Sequence, residues 1–339
     1  MDQFTAHLDR GWDLVNRGDF AGALVSAQKS LELDAESPEA HNLLGYVHQA
    51  QGRADDALDH YRQAIAIDDT YVEAMLNAAE VMIHSLRDVE NGLAMLDEAL
   101  DLAEGDDEVA DALLLKFDAL MQQEDRDGAA VVAKQLPEGP FENDQLDFLV
   151  GRARFESDDL DGAERHLDRA KDQENASGDA LYYYGLVREA RGDARGATLA
   201  FLRAREADLS APRPPWTLPV SGFERRVQSA VRRLPARLGQ TIENSLVVVS
   251  DMPGPEVVAE GIDPHIGVLI DDVQDDEGKP VAQGGSPKRA GRVFVYQRNI
   301  ERFTQNAAEV EEEILRALEH ELTLTFVGPD AVPPDARLR

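Results

Sequence analysis

The chain has 339 residues, 43% of them hydrophobic, no cysteine and a formal charge of −32. Disulfides and thiolate zinc sites are therefore excluded, and a nucleic acid or an anionic membrane is a poor partner, since both need clustered Lys and Arg. No apolar run approaches the ~20 residues of a membrane helix, and Met1-Asp2-Gln3-Phe4 is not a basic-then-apolar leader, so a cytoplasmic protein without membrane insertion is expected.

The N-terminal two-thirds repeats itself. Gly11 and Gly45 lie 34 residues apart, as do Gly18 and Gly52, Ala23 and Ala57, Gly151 and Gly185, and Ala163 and Ala197. Between these anchors apolar residues recur with helical spacing, as in Leu24, Ala27 and Leu31 or Ala57, Tyr61 and Ala64. This pattern resembles the tetratricopeptide repeat, a 34-residue helix–turn–helix. It predicts about six units: 4–37, 38–71, 72–105, 106–139, 140–174 and 177–208. The third carries one inserted residue near Asn91-Gly92, and the fourth has Phe117 where a small residue is expected.

The resemblance implies an all-α solenoid over 1–208 whose first helices line a concave face for a protein or peptide. It places that face at Trp12, Tyr46, Gln49, Glu80, Ile83, Asp118, Arg152, Phe155, Tyr182 and Glu189. One Arg among several acids does not suit a terminal carboxylate, so a basic or apolar segment is the expected ligand. The negative charge sits mainly here, net −27 over 1–208 against −5 over 209–339. Oligomeric state is not read from the sequence.

Residues 209–221 form a linker, with Pro212, Pro214, Pro215 and Pro219 giving an extended connector in which Trp216 packs against a flanking domain. From 222 to 339 the pattern becomes a small α+β domain. Phe223, Val227, Val231 and Leu234 mark a helix. Strands are read at Leu246-Val247-Val248-Val249, Ile266-Gly267-Val268-Leu269-Ile270 and Arg292-Val293-Phe294-Val295-Tyr296, with a long polar loop from Asp275 to Gly291. A last helix spans about Ala307 to Thr325.

That last helix reads His320-Glu321-Leu322-Thr323-Leu324-Thr325-Phe326. Together with Val247-Val248-Val249 and Gln297-Arg298-Asn299-Ile300, it resembles the minimal zincin-like metallopeptidases over about Phe223 to Gly328. In H-E-x-x-H two histidines one turn apart bind zinc and the Glu is general base. The resemblance maps His320 onto the first ligand and Glu321 onto the base, but Leu324 and Thr325 replace the later histidines. The remaining donors are Asp330, at the end of that helix, and His265, in a turn before a strand. One imidazole falls short of the three protein ligands of a catalytic zinc. The expectation is thus a degenerate zincin-like domain with no cofactor and an adaptor function for the whole chain. A zinc peptidase whose repeats recruit substrate is the alternative.

Overall fold

The computed structural model describes residues 2–173, 176–275, 288–328 and 331. By its contacts the chain divides into two compact units, Met1–Glu174 and Asn175–Arg339. The sequence reading places its boundary later, at 208/209, so the sixth predicted repeat is counted with the C-terminal unit.

The N-terminal unit is a series of antiparallel helical hairpins: α1 (Gln3–Asn16) with α2 (Phe20–Leu33), α3 (Pro38–Ala50) with α4 (Ala54–Ile67), α5 (Val72–Glu80) with α6 (Val89–Leu102), α7 (Asp106–Gln122) with α8 (Arg126–Ala133), and α9 (Asp144–Glu156) with α10 (Leu160–Ala170). Each hairpin turns on one left-handed residue. Glycine fills that place at Gly18 and Gly52 (φ 73° each), whereas Arg87, Glu124 and Asp158 adopt φ of 60–62°. A side chain there costs about 1 kcal/mol against glycine. The next residue often caps the second helix: Asp19, Asp125 and Asp159 accept from the amides of Gly22, Gly128 and Gly162 at 2.9–3.0 Å.

Small residues let the helices close. A Cβ on Gly45 would stand 2.4 Å from the Tyr61 ring, and one on Gly151 would stand 2.7 Å from Leu167. Gly11 serves a different contact. Its added Cβ would meet Leu43 of the following hairpin, so this glycine permits packing between repeats as well. The residue inserted in the third repeat is absorbed upstream of Asn91, where α5 passes into a π-helical turn, Val81–Ser85. Such a turn accommodates one extra residue, after which Gly92 packs closely on Ile83.

The C-terminal unit opens with the sixth hairpin, α11 (Gly178–Ala190) and α12 (Ala194–Ser210), which turns on Gly192 (φ 79°) and is capped by Asp193 on Gly196. Then follow α13 (Val220–Arg233), α14 (Ala236–Gly239), a 3₁₀ turn (Gln240–Ile242), β1 (Leu246–Ser250), α15 (Pro255–Ala259), β2 (Val268–Gln274), β3 (Arg289–Tyr296), α16 (Gln297–Arg302) and α17 (Val310–Phe326). The sheet order is β1-β3-β2, with β1 parallel and β2 antiparallel to β3. Val293 pairs with Val247 and Ile270, which sends alternate residues of all three strands into one core. Phe223, Val227 and Ala230 of α13 and Ile314, Leu318 and Leu322 of α17 complete that core. The fold of this region is a small open α+β layer. The polar loop read over Asp275 to Gly291 falls for the most part, at 276–287, outside the described residues.

Candidate functional site: the repeat face and the His320 helix

On the N-terminal unit, first-helix side chains of successive hairpins link into short ladders. Trp12 meets Tyr46 edge to face, with centroids 5.5 Å apart, and Tyr46 remains 37% exposed. The Tyr61 hydroxyl donates to Gln49 (2.8 Å), whose amide donates to Glu80 (3.0 Å). Arg152 pairs with Asp118 at 2.8 Å, and Phe155 lies half-buried nearby in sequence on the same helix. Ile83 does not share this surface. It is 1% exposed and packs in the core against α6. The π turn explains the difference, because one extra residue rotates everything beyond it by about 100°. His84 takes the outward place and lies 3.4 Å from Gln122 of α7.

Sequence periodicity also missed Asn42. Fully buried, it donates to the Tyr71 hydroxyl (3.2 Å) and Glu73 (3.0 Å), and it accepts from Asn77 (3.0 Å). A buried amide so satisfied fixes the second hairpin on the third. Its signal was a polar residue on a face that is otherwise apolar.

In the C-terminal unit, Glu189 is exposed, but Tyr182 is taken by the chain itself. Its hydroxyl donates to Asp263 (2.8 Å) and its ring stacks on His265 at 4.0 Å. His265 Nε2 meets Asp208 at 2.8 Å, and Arg302 reaches the same carboxylate at 2.6 Å while also pairing with Asp179. Burial alone would raise the Asp208 pKa, but the His265 hydrogen bond and the Arg302 charge outweigh it and hold the group below the usual carboxylate range. Gln297, Arg298 and Asn299 have structural roles. Gln297 donates to the Leu218 carbonyl, Arg298 to those of Asp208 and Ala211, and Asn299 to those of Pro264 and Ile266. The Pro-rich segment is thus tied down along its length, and Trp216 packs on the C-terminal core.

On α17 the apolar stripe Val310, Ile314, Leu318 and Leu322 faces the core. His320 and Glu321 are half-buried beside it, and burial pushes the Glu321 carboxyl up. Leu324, at the place of a second histidine, is 40% exposed. His265 is engaged with Asp208, and Asp330 lies outside the described residues. Among the described residues no three His, Cys, Asp or Glu side chains are grouped to hold a metal. No described helix is long and apolar enough to cross a membrane.

Comparison with known proteins agrees with the hairpin geometry. The tetratricopeptide-repeat family profile matches residues 8–72. The N-terminal region is built of tetratricopeptide repeats. Over 61 residues the chain is 39% identical to anaphase-promoting complex subunit 6 of Dictyostelium discoideum, a stretch amounting to 18% of this chain and 7% of that relative. The solved structure of PilF from Pseudomonas aeruginosa is similar at 18% identity with a TM-score of 0.50, covering 60% of this chain and 91% of that one. PilW, a type IV pilus biogenesis factor, aligns at 16% identity and a TM-score of 0.49 over 61% of this chain and 94% of its own. At these identities the structural likeness is one of fold. Tetratricopeptide-repeat proteins are generally protein–protein interaction scaffolds.

Proposed function

We propose that the chain is a non-catalytic adaptor whose N-terminal repeats hold a protein or peptide segment, while a C-terminal domain of degenerate zincin-like descent docks or regulates. The observation that carries this reading is the first-helix face of the N-terminal unit, where the half-exposed Trp12–Tyr46 pair stands with Gln49, Glu80, Asp118 and Arg152. Aromatic edges beside carboxylates suit a segment with apolar and basic residues. The zincin-like ancestry rests on the sequence resemblance alone.

The test is affinity capture with the full chain and with Trp12→Ala/Tyr46→Ala. A partner retained by the wild type, released by added salt and lost in the double variant supports the adaptor. Equal capture by both moves the binding surface elsewhere. Stoichiometric zinc together with peptide hydrolysis, both lost in His320→Ala, would replace the adaptor with the peptidase.

A further inference from the structure

The second hairpin brings three imidazoles together. His41 and His48 stand seven residues apart on α3, two turns along one face, and His60 of α4 reaches between them. Nδ1 of His41 lies 3.2 Å from Nδ1 of His60. On its other side the His60 ring stacks on His48, with centroids 5.2 Å apart and planes 11° from parallel. His48 is 8% exposed and its Nδ1 makes no hydrogen bond; the Asp56 carboxylate stands 3.9 Å away.

Two ring nitrogens at this separation fit either of two bonds. One is a hydrogen bond between neutral imidazoles. The other is a shared metal ion: zinc–nitrogen bonds of about 2.0–2.1 Å in tetrahedral geometry set ligand nitrogens roughly 3.3–3.4 Å apart. The observed 3.2 Å is within tenths of an ångström of that edge, and rotation of the two rings about their side-chain torsions would turn both lone pairs towards one ion. Imidazole suits zinc, nickel and copper rather than magnesium or calcium.

We propose that His41 and His60 bind a divalent transition ion of the zinc, nickel or copper class through their Nδ1 atoms, with water filling the remaining positions. Two features around the pair favour the ion. Stacking against buried His48 fixes the His60 plane. Asp56 and Asp59 supply negative charge beside His60, with Arg53 the opposing cation near His48. This site is separate from His320 and does not depend on the adaptor reading.

Calorimetric titration of the metal-stripped full chain tests it, with Zn²⁺, Ni²⁺, Cu²⁺ and Mg²⁺ as probes. Expected are one equivalent of each transition ion, no Mg²⁺ binding, at least tenfold weaker affinity in His41→Gln and His60→Gln with helicity retained by circular dichroism, and unchanged affinity in His320→Ala. No stoichiometric binding by the wild type, equal affinity in both glutamine variants, or loss in His320→Ala overturns the proposal. A readout that needs no variant is the electron paramagnetic resonance of the Cu²⁺-loaded chain. Coupling to two imidazole nitrogens is expected, and oxygen-only ligation overturns it.

Discussion

The second and sixth hairpins are built from one template and use it differently. Gly45 faces Tyr61 as Gly185 faces Phe201, and a Cβ on either glycine would stand 2.4 Å from the ring. In this register Asn42 corresponds to Tyr182, and Asp68 to Asp208. Asn42 reaches forward to Tyr71, Glu73 and Asn77 of the next repeat. Tyr182 reaches instead to Asp263 and His265, and Val258 of α15 packs on Ala197 and Phe201. Asp68 ends its helix in water, accepting from Thr70 at 3.0 Å, whereas Asp208 is 8% exposed and held by His265 and Arg302. After the last hairpin, residues 255–266 stand where a further repeat would. A solenoid end needs such a cover, since a repeat cannot bury its apolar face alone.

The strongest break in this comparison is charge removal. Arg302→Ala should destabilise the C-terminal unit by about 3 kcal/mol, because it leaves Asp208 buried with one partner fewer. Asp68→Ala, at the same repeat position, should leave stability nearly unchanged, because its carboxylate faces water. Chemical denaturation of the full chain, followed by the Trp216 signal for the C-terminal unit and Trp12 for the other, separates the two. Equal losses would dissolve the distinction.

Next in size are Gly45→Val and Gly185→Val, each expected to cost about 1–3 kcal/mol by driving a side chain into Tyr61 or Phe201. Unequal costs would show which end of the repeat region yields.

Acid should act on the second hairpin before the sixth, because the stabilisation from the lowered Asp208 pKa is lost only below the usual carboxylate range. His60 is held neutral, with its pKa pushed down to about 4 by burial first and then by His48 and His41. The unfolded chain therefore binds this proton more readily, and folding stability falls as pH drops from about 6.5 to about 4. His60→Gln should flatten that slope in thermal melts across the window. An unchanged slope would assign the acid sensitivity to His41, His48 or buried His166, whose pKa values burial also lowers.

The smallest expected effect is a gain. Glu124→Gly should stabilise by about 0.5–1 kcal/mol, because Glu124 holds the left-handed place that Gly18, Gly52 and Gly192 occupy without strain. A loss instead would mean that the Glu124 side chain contributes more than its backbone costs.

Much of the repeat region was legible because its anchors are compositional. Gly18, Gly52 and Gly192 mark turns that glycine enters freely, and Ala23, Ala57 and Ala197 mark close packing. Arg87, Glu124 and Asp158 do the same turning with no compositional trace, so those hairpins were placed by spacing alone. The strands were read within a few residues, since β-branched runs announce them. Helices α14, α15 and α16 were not, being too short for a 3.6-residue period to show. Of the first-helix residues that the resemblance assigns to the concave face, Trp12 meets Tyr46 and Gln49 bonds Glu80, whereas Ile83 is buried in the core and Tyr182 meets partners 81 and 83 positions further on, a pairing no local pattern records.

The π turn at Val81–Ser85 is, in effect, a one-letter frameshift written in three dimensions. Deleting Ser85, downstream of the pair, should restore a plain α-helical ladder and bring Ile83 to the outward place that His84 holds. The outer face would gain an apolar side chain while every neighbouring helix kept its sequence. Any column-by-column comparison of this repeat with its siblings must therefore be offset by one after residue 81, or it will credit the core's residues to the surface.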